Sequence, residues 1–259
     1  MELFEPSVLV VLALVAFAAG FIDAVAGGGG MLTVPALLSL GLPPHIALGT
    51  NKLAATFASS TAALTYYRKR LFKPRCWKRA FVSTLTGAIL GTLAVDLIAT
   101  EWLEKILPLV ILAAAIYTIW HKTPNTTDNA TPQPCPTLNK KQYIQGLSLG
   151  FYDGVAGPGT GAFWTVSSMA LYRLNILLAS GLAKAMNFTS NFTSLVTFAL
   201  LGHIDWLLGL TMGVCLMAGA FVGAHSAIRF GATFIRPVFV TVVSILAVKL
   251  AYEAWFVSL

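Results

Sequence analysis

The stretch GFIDAVAGGGGMLTVP, Gly20 to Pro35, sets a carboxylate, Asp23, and four consecutive glycines, Gly27 to Gly30, inside otherwise apolar sequence. Glycine is the poorest helix former after proline, so the run reads as the end of one helix and the start of another. The pattern returns as GFYDGVAGPGTGAFWTV, Gly150 to Val166. Seven of the ten positions from Gly20 to Gly29 are identical to those from Gly150 to Gly159.

The surrounding composition says what kind of sequence is being broken. Of 259 residues, 57% are apolar and only 10% charged, and the mean hydropathy is +0.77. A soluble core does not need that much hydrocarbon. Crossing a bilayer takes about 20 helical residues, and several apolar runs here approach that length, so the expected class is an all-α polytopic integral membrane protein. A signal peptide would compete for Val8 to Ala19, with Ala24-Val25-Ala26 as a cleavage site. Its flank would carry Lys or Arg, however, where this chain has Glu2 and Glu5. The cysteines, Cys76, Cys135 and Cys215, form no metal-ligand spacing and no even disulfide set.

Apolar runs and their breaks place helices near 5–24, 30–41, 45–68, 79–99 and 103–120, then 142–155, 159–172, 176–200, 205–228 and 233–256. Between the two sets, His121 to Lys141 has four prolines and many Thr and Asn, the composition of a flexible connection. Beyond the glycine loops, Ala47, Gly49 and Lys52 match Ala179, Gly181 and Lys184, and GAILG from Gly87 matches GAFVG from Gly219. The offset is 130 at the aspartates and 132 afterwards. The chain is therefore expected to be a duplicated five-element unit, residues 1–120 and 142–259, joined by the linker 121–141.

Charge suggests that the two units face opposite ways. The loop after the third element holds Arg68, Lys69, Arg70, Lys73, Arg75, Lys78 and Arg79, which marks it as cytoplasmic. Its counterpart, GHID at Gly202 to Asp205, has no Lys or Arg. Inverted repeats of this kind are common in secondary transporters. Each repeat would be a broken or re-entrant hairpin plus three transmembrane helices, about 8–10 membrane helices in all. From that anchor, Lys122, Lys140, Lys141, Arg173, Arg229 and Arg236 join the loop on the cytoplasmic side, so thirteen of seventeen basic residues lie there. Topology accounts for the net charge of +7, and a nucleic-acid partner loses its motivation. Both termini are expected outside.

The second element of each half is short, like a half-helix, and starts directly after the glycines. A helix N-terminus offers unpaired N–H groups and about half a positive charge, and glycine lets an anion come close. Isolated glycines would read as packing sites; a duplicated cluster before a short helix reads as a binding site. GAILG and GAFVG keep the packing reading. Lys52 and Lys184 sit inside apolar sequence and should face a partner or water. Lys184, Asn187, Asn191 and Ser194 recur at helical spacing, as do Lys52, Thr56, Ser59 and Ala63. One alternative makes the lysines structural, pairing Asp23 with Lys52 and Asp153 with Lys184; another has the aspartates cap the glycine turns. No Gly-x-Ser-x-Gly, His-Glu-x-x-His or Walker loop occurs, and the four histidines are scattered. No enzyme, cofactor or metal is expected.

With GFIDAVAGGGGMLTVPALLSLGLPPHIALGTNKL (Gly20 to Leu53) and its weaker copy in view, the chain resembles the sulfite exporter TauE/SafE family of bacterial permeases over nearly its whole length. The resemblance implies a multi-pass protein of the bacterial inner membrane that moves, often exports, a small sulfur-containing anion such as sulfite or an organosulfonate. Its lipid bilayer and anionic substrate would be its partners, and a homo-oligomer is left open. On this reading the substrate site comprises Gly27, Gly28, Gly29, Gly30, Thr50, Asn51, Lys52, Gly157, Gly159, Thr160, Gly161, Lys184, Asn187 and Asn191. Asp23 and Asp153 would be structural or ion-coupling. Pro158 and Thr160 replace two glycines in the second copy, so the half-sites should differ. Two other readings stay open: a cation- or proton-coupled permease using the aspartates, and a membrane scaffold or assembly protein with no transported substrate.

Overall fold

The computed structural model describes residues 6–103, 105–106, 139–231, 234–235, 237 and 241. All regular structure among them is helical. We label the helices α1 (Pro6–Ala26), α2 (Gly30–Ser39), α3 (Pro44–Arg68), α4 (Lys78–Asp96), α5 (Asn139–Val155), α6 (Thr160–Tyr172), α7 (Ile176–Leu201) and α8 (Trp206–Phe230). A 3₁₀ turn, Pro74–Trp77, leads into α4. The expected fifth and tenth elements, near 103–120 and 233–256, and most of the linker lie outside the described residues.

Local chemistry explains the boundaries. Pro44 at the first position of α3 loses no needed N–H. The Asn175 side chain accepts from Leu178 N at 2.8 Å, and that of Asp205 accepts from Leu208 N at 2.9 Å, capping α7 and α8. Gly202, in the left-handed region at φ +78°, closes α7.

The helices exchange partners between the two halves: α1 packs along α8, α4 along α5, and α3 against both α7 and α8, while α2 and α6 lie close to α3 and α7 respectively. Small residues permit the close approaches. A Cβ on Gly87 would sit 2.8 Å from Phe151 N, and one on Gly219 would sit 2.9 Å from Phe21 N. GAILG and GAFVG are thus equivalent packing motifs, each pressed against the first helix of the other half.

Polarity is distributed inside out. The face of α8 formed by Leu207, Leu210, Val214, Met217 and Phe221, at alternating spacings of three and four, is exposed. So are Val82, Leu85, Leu90 and Leu93 on α4. The interior instead holds Asn51, Lys52, Asp153, Lys184, Asn187, Ser190 and Asn191. A water-soluble domain does the reverse. By length and composition, α8 is the one helix among the described residues that passes as a membrane span. The apolar part of α1, Val10–Ala26, is shorter. α3 and α7, of 25 and 26 residues, are long enough; the Lys, Asn, Ser and Thr on their buried faces lower their hydropathy.

Candidate functional site

Both glycine breaks begin with a left-handed residue. At the end of α1, Gly27 has φ +82° and its N–H donates to Asp23 O at 2.8 Å; after α5, Gly157 has φ +90°. These conformations favour glycine, and they turn the chain sharply into the next helix start. The two loops touch. Gly27 O accepts from Ala162 N at 3.3 Å, so the first loop satisfies one of the open amides of α6. Gly30 faces Pro158, whose Cα would lie 3.3 Å from a Cβ at position 30.

The two aspartates play different parts. Asp23 caps its own turn, with Oδ1 accepting from Gly29 N at 3.3 Å. Asp153 accepts through Oδ1 from Lys52 Nζ at 2.8 Å and from Thr160 Oγ1 at 3.1 Å, and through Oδ2 from the Ser190 hydroxyl. Lys52 Nζ also donates to the Asp153 carbonyl. Lys184 Nζ donates to the Asp23 carbonyl. The within-half pairing of Asp23 with Lys52 and Asp153 with Lys184 is therefore overturned: each lysine reaches the aspartate of the other half, because α3 and α7 pack together at the centre and point their lysines across the contact. Both lysines and Asp153 are no more than 1% exposed.

Between the loops lies a cavity of about 20 Å³, lined by Asp23, Gly27, Gly30, Asn51, Ala55, Asp153, Gly157, Gly159, Gly161, Asn187 and Asn191. It has room for about one water. The amides of Gly30 and Gly161, each in the first turn of a short helix, hydrogen-bond to no protein acceptor among the described residues. They leave positively polarised donors beside the cavity from both halves. Asn51 accepts from Thr33 Oγ1 at 2.5 Å, and Asn191 Nδ2 donates to Asn187 O at 2.8 Å.

Eight of the expected substrate residues line this space: Gly27, Gly30, Asn51, Gly157, Gly159, Gly161, Asn187 and Asn191. The others stand elsewhere. Lys52, Lys184 and Thr160 form the layer behind it, bonded to the aspartate segments. Gly29 packs on α1, where its Cβ would be 2.7 Å from Ala19 O; a Cβ on Gly28 would meet only an Ile22 methyl at 3.8 Å. Thr50 accepts from Asp205 N at 3.0 Å, at the start of α8. Thr33 and Ser190 add to the expected residues by donating to Asn51 and Asp153 behind the cavity. Ser190 follows Asn187 by three residues, so the helical stripe of α7 carried the signal for it.

The fold and site define a class: an all-helical protein, apolar outside, enclosing a polar centre built from two glycine breaks. Residues 12–250 match the sulfite exporter TauE/SafE family, and the chain belongs to it. It is 39% identical to a probable membrane transporter protein of Haemophilus influenzae, with 96% of each chain covered. It is 38% identical to the probable membrane transporter protein ORF9 of a Sinorhizobium species, covering 91% of this chain and 89% of the relative. With the probable membrane transporter protein YfcA of Escherichia coli K12 it shares 34% identity, covering 96% of this chain and 92% of the relative. No solved structure matches.

Proposed function

We propose that the protein is a multi-pass secondary transporter of the bacterial inner membrane that moves a small sulfur-containing anion, sulfite or an organosulfonate, as an exporter. The observation that carries this reading is the pair of unclaimed amides, Gly30 and Gly161, beside one buried polar cavity with Asn51, Asn187 and Asn191. Two helix starts and three carboxamides can donate to an oxyanion with no Lys or Arg among the cavity's described lining residues. The family match and the relatives' names support transport.

In this reading residues 1–120 and 142–259 are inverted repeats joined by the linker 121–141, which the exchange of helix partners supports. The cavity is too small for a sulfur oxyanion, so the loops separate to admit it and alternating access hinges at their left-handed glycines. A reporter fused after Arg70 or near Asn129 is expected in the cytoplasm and one at Leu259 outside. A cytoplasmic Leu259 beside a cytoplasmic Arg70 would defeat the inverted arrangement.

A ligand screen on the detergent-purified chain tests the substrate. Sulfite, thiosulfate, sulfoacetate or taurine should raise the apparent melting temperature where simple carboxylates do not. Asn187→Ala and Asn191→Ala should each weaken that ligand by roughly tenfold or more, the effect of one hydrogen bond to a charged group. A second reading, a proton- or cation-coupled permease, is favoured by one fact: Asp23 and Asp153 line the cavity and neither lysine does. It predicts cation-dependent flux into vesicles that Asp23→Asn and Asp153→Asn remove, with no stabilisation by anions.

A further inference from the structure

We infer that the turn between α3 and α4 holds the phosphate of an anionic phospholipid. Residues 68–79 carry seven basic side chains and no acidic one, and the turn is pinned in place. Arg70 N donates to Tyr67 O at 2.8 Å and Leu71 N to Tyr66 O at 3.1 Å, while Trp77 is buried edge-on against Tyr172 with ring centroids 4.8 Å apart. The turn borders an open groove of about 810 Å³ along Tyr67, Arg68, Arg70, Phe72, Lys73 and Arg75, with all four basic side chains exposed.

Among the described residues none of these four cations is in an ion pair. Four like charges along one groove attract an anion, and guanidinium forks match a phosphate. A lipid fits better than free phosphate because of what adjoins the groove. Leu64, Tyr67 and Arg68, at i, i+3 and i+4 on α3, form one exposed face, with Leu64 49% and Tyr67 51% exposed. A phosphodiester held at Arg68 therefore leaves its acyl chains lying along Leu64 and the Tyr67 ring, as basic sites at a membrane boundary hold anionic lipids.

This inference rests on the membrane reading, which carbonate-washed membranes test by themselves: a chain released by the wash would end both. For the retained chain, melting is followed in detergent with added phosphatidylglycerol, phosphatidylcholine or glycerol phosphate. Phosphatidylglycerol should raise the apparent melting temperature by on the order of 3 °C, and the other two should not. Arg68→Gln with Arg75→Gln should melt like the parent without lipid and lose the rise; Lys105→Gln, past the far end of α4, removes charge away from the turn and should keep it. Native mass measurement gives a second readout, with one phosphatidylglycerol retained by the parent and none by the Arg68/Arg75 variant. The same rise in both variants, or an equal rise with glycerol phosphate, would overturn the lipid assignment.

Discussion

Asp153→Leu should destabilise the protein by about 3–5 kcal/mol, the usual penalty for leaving one member of a buried ion pair alone. Lys52 Nζ lies 2.8 Å from Asp153 Oδ1, with the side chains 0% and 1% exposed. Without the carboxylate, the ammonium keeps only the carbonyl of residue 153 in an interior that cannot hydrate it. Lys52→Met should be milder, because Thr160 and Ser190 still donate to Asp153. Combining Lys52→Met with Asp153→Leu should recover much of the loss, with a coupling of about 2 kcal/mol in a double-mutant cycle. Lys184→Met should cost less, about 1–3 kcal/mol, since its hydrogen bond goes to the main-chain carbonyl of Asp23. Unfolding in mixed detergent would measure all four variants. Additive effects of Lys52 and Asp153 would remove the pair as a lock between the halves. If the halves rock against each other in transport, this contact must change, so the variants should also shift the balance between inward- and outward-facing forms.

That crossing was not legible in the sequence, although both lysines and both aspartates were. The duplicated copies suggest two self-contained units, and within one copy the nearest partner of Lys52 is Asp23. Which aspartate it meets is decided by the packing of α3 on α7, a tertiary fact with no local signature. Thr50, Asn51 and Lys52 show a similar limit. Successive helical residues point about 100° apart, so one run of three sends Thr50 to the start of α8, Asn51 to the cavity and Lys52 across to Asp153. What was legible followed from backbone chemistry and spacing. The glycine runs marked both breaks, the expected bounds 30–41 and 159–172 of the short helices fall near the observed Gly30–Ser39 and Thr160–Tyr172, and the GAILG and GAFVG spacing marked the tight contacts.

The four glycines that look alike in the sequence should separate sharply under substitution. Gly27→Ala should eliminate most of the folded protein. Its φ of +82° alone costs an L-residue roughly 1–2 kcal/mol, and the new Cβ would sit 2.6 Å from Gly161 Cα. The obstacle is backbone, so no side chain can swing away, and the loops would have to part at the contact that carries the Gly27 O to Ala162 N bond. Gly161→Ala meets the same contact from the other side, 2.7 Å from Gly27 Cα, with Lys184 Nζ at 3.3 Å. Gly28→Ala should be silent, within about 0.5 kcal/mol, because only an Ile22 methyl at 3.8 Å faces it. Gly29→Ala should be intermediate, since Ala19 O and Asp23 Cβ, both at 2.7 Å, force α2 away from α1. Gly30→Ala asks a different question. Its nearest neighbour, Pro158 Cα at 3.3 Å, can yield by a few tenths of an ångström, so the fold should survive while a methyl group stands at the cavity beside the unclaimed amide. Monodisperse yield and melting temperature rank the series for packing, and anion affinity per folded molecule isolates Gly30. Loss of affinity at Gly30→Ala with none at Gly28→Ala places the anion at the start of α2; equal damage at Gly27 and Gly28 would mean that the loops do not meet as described.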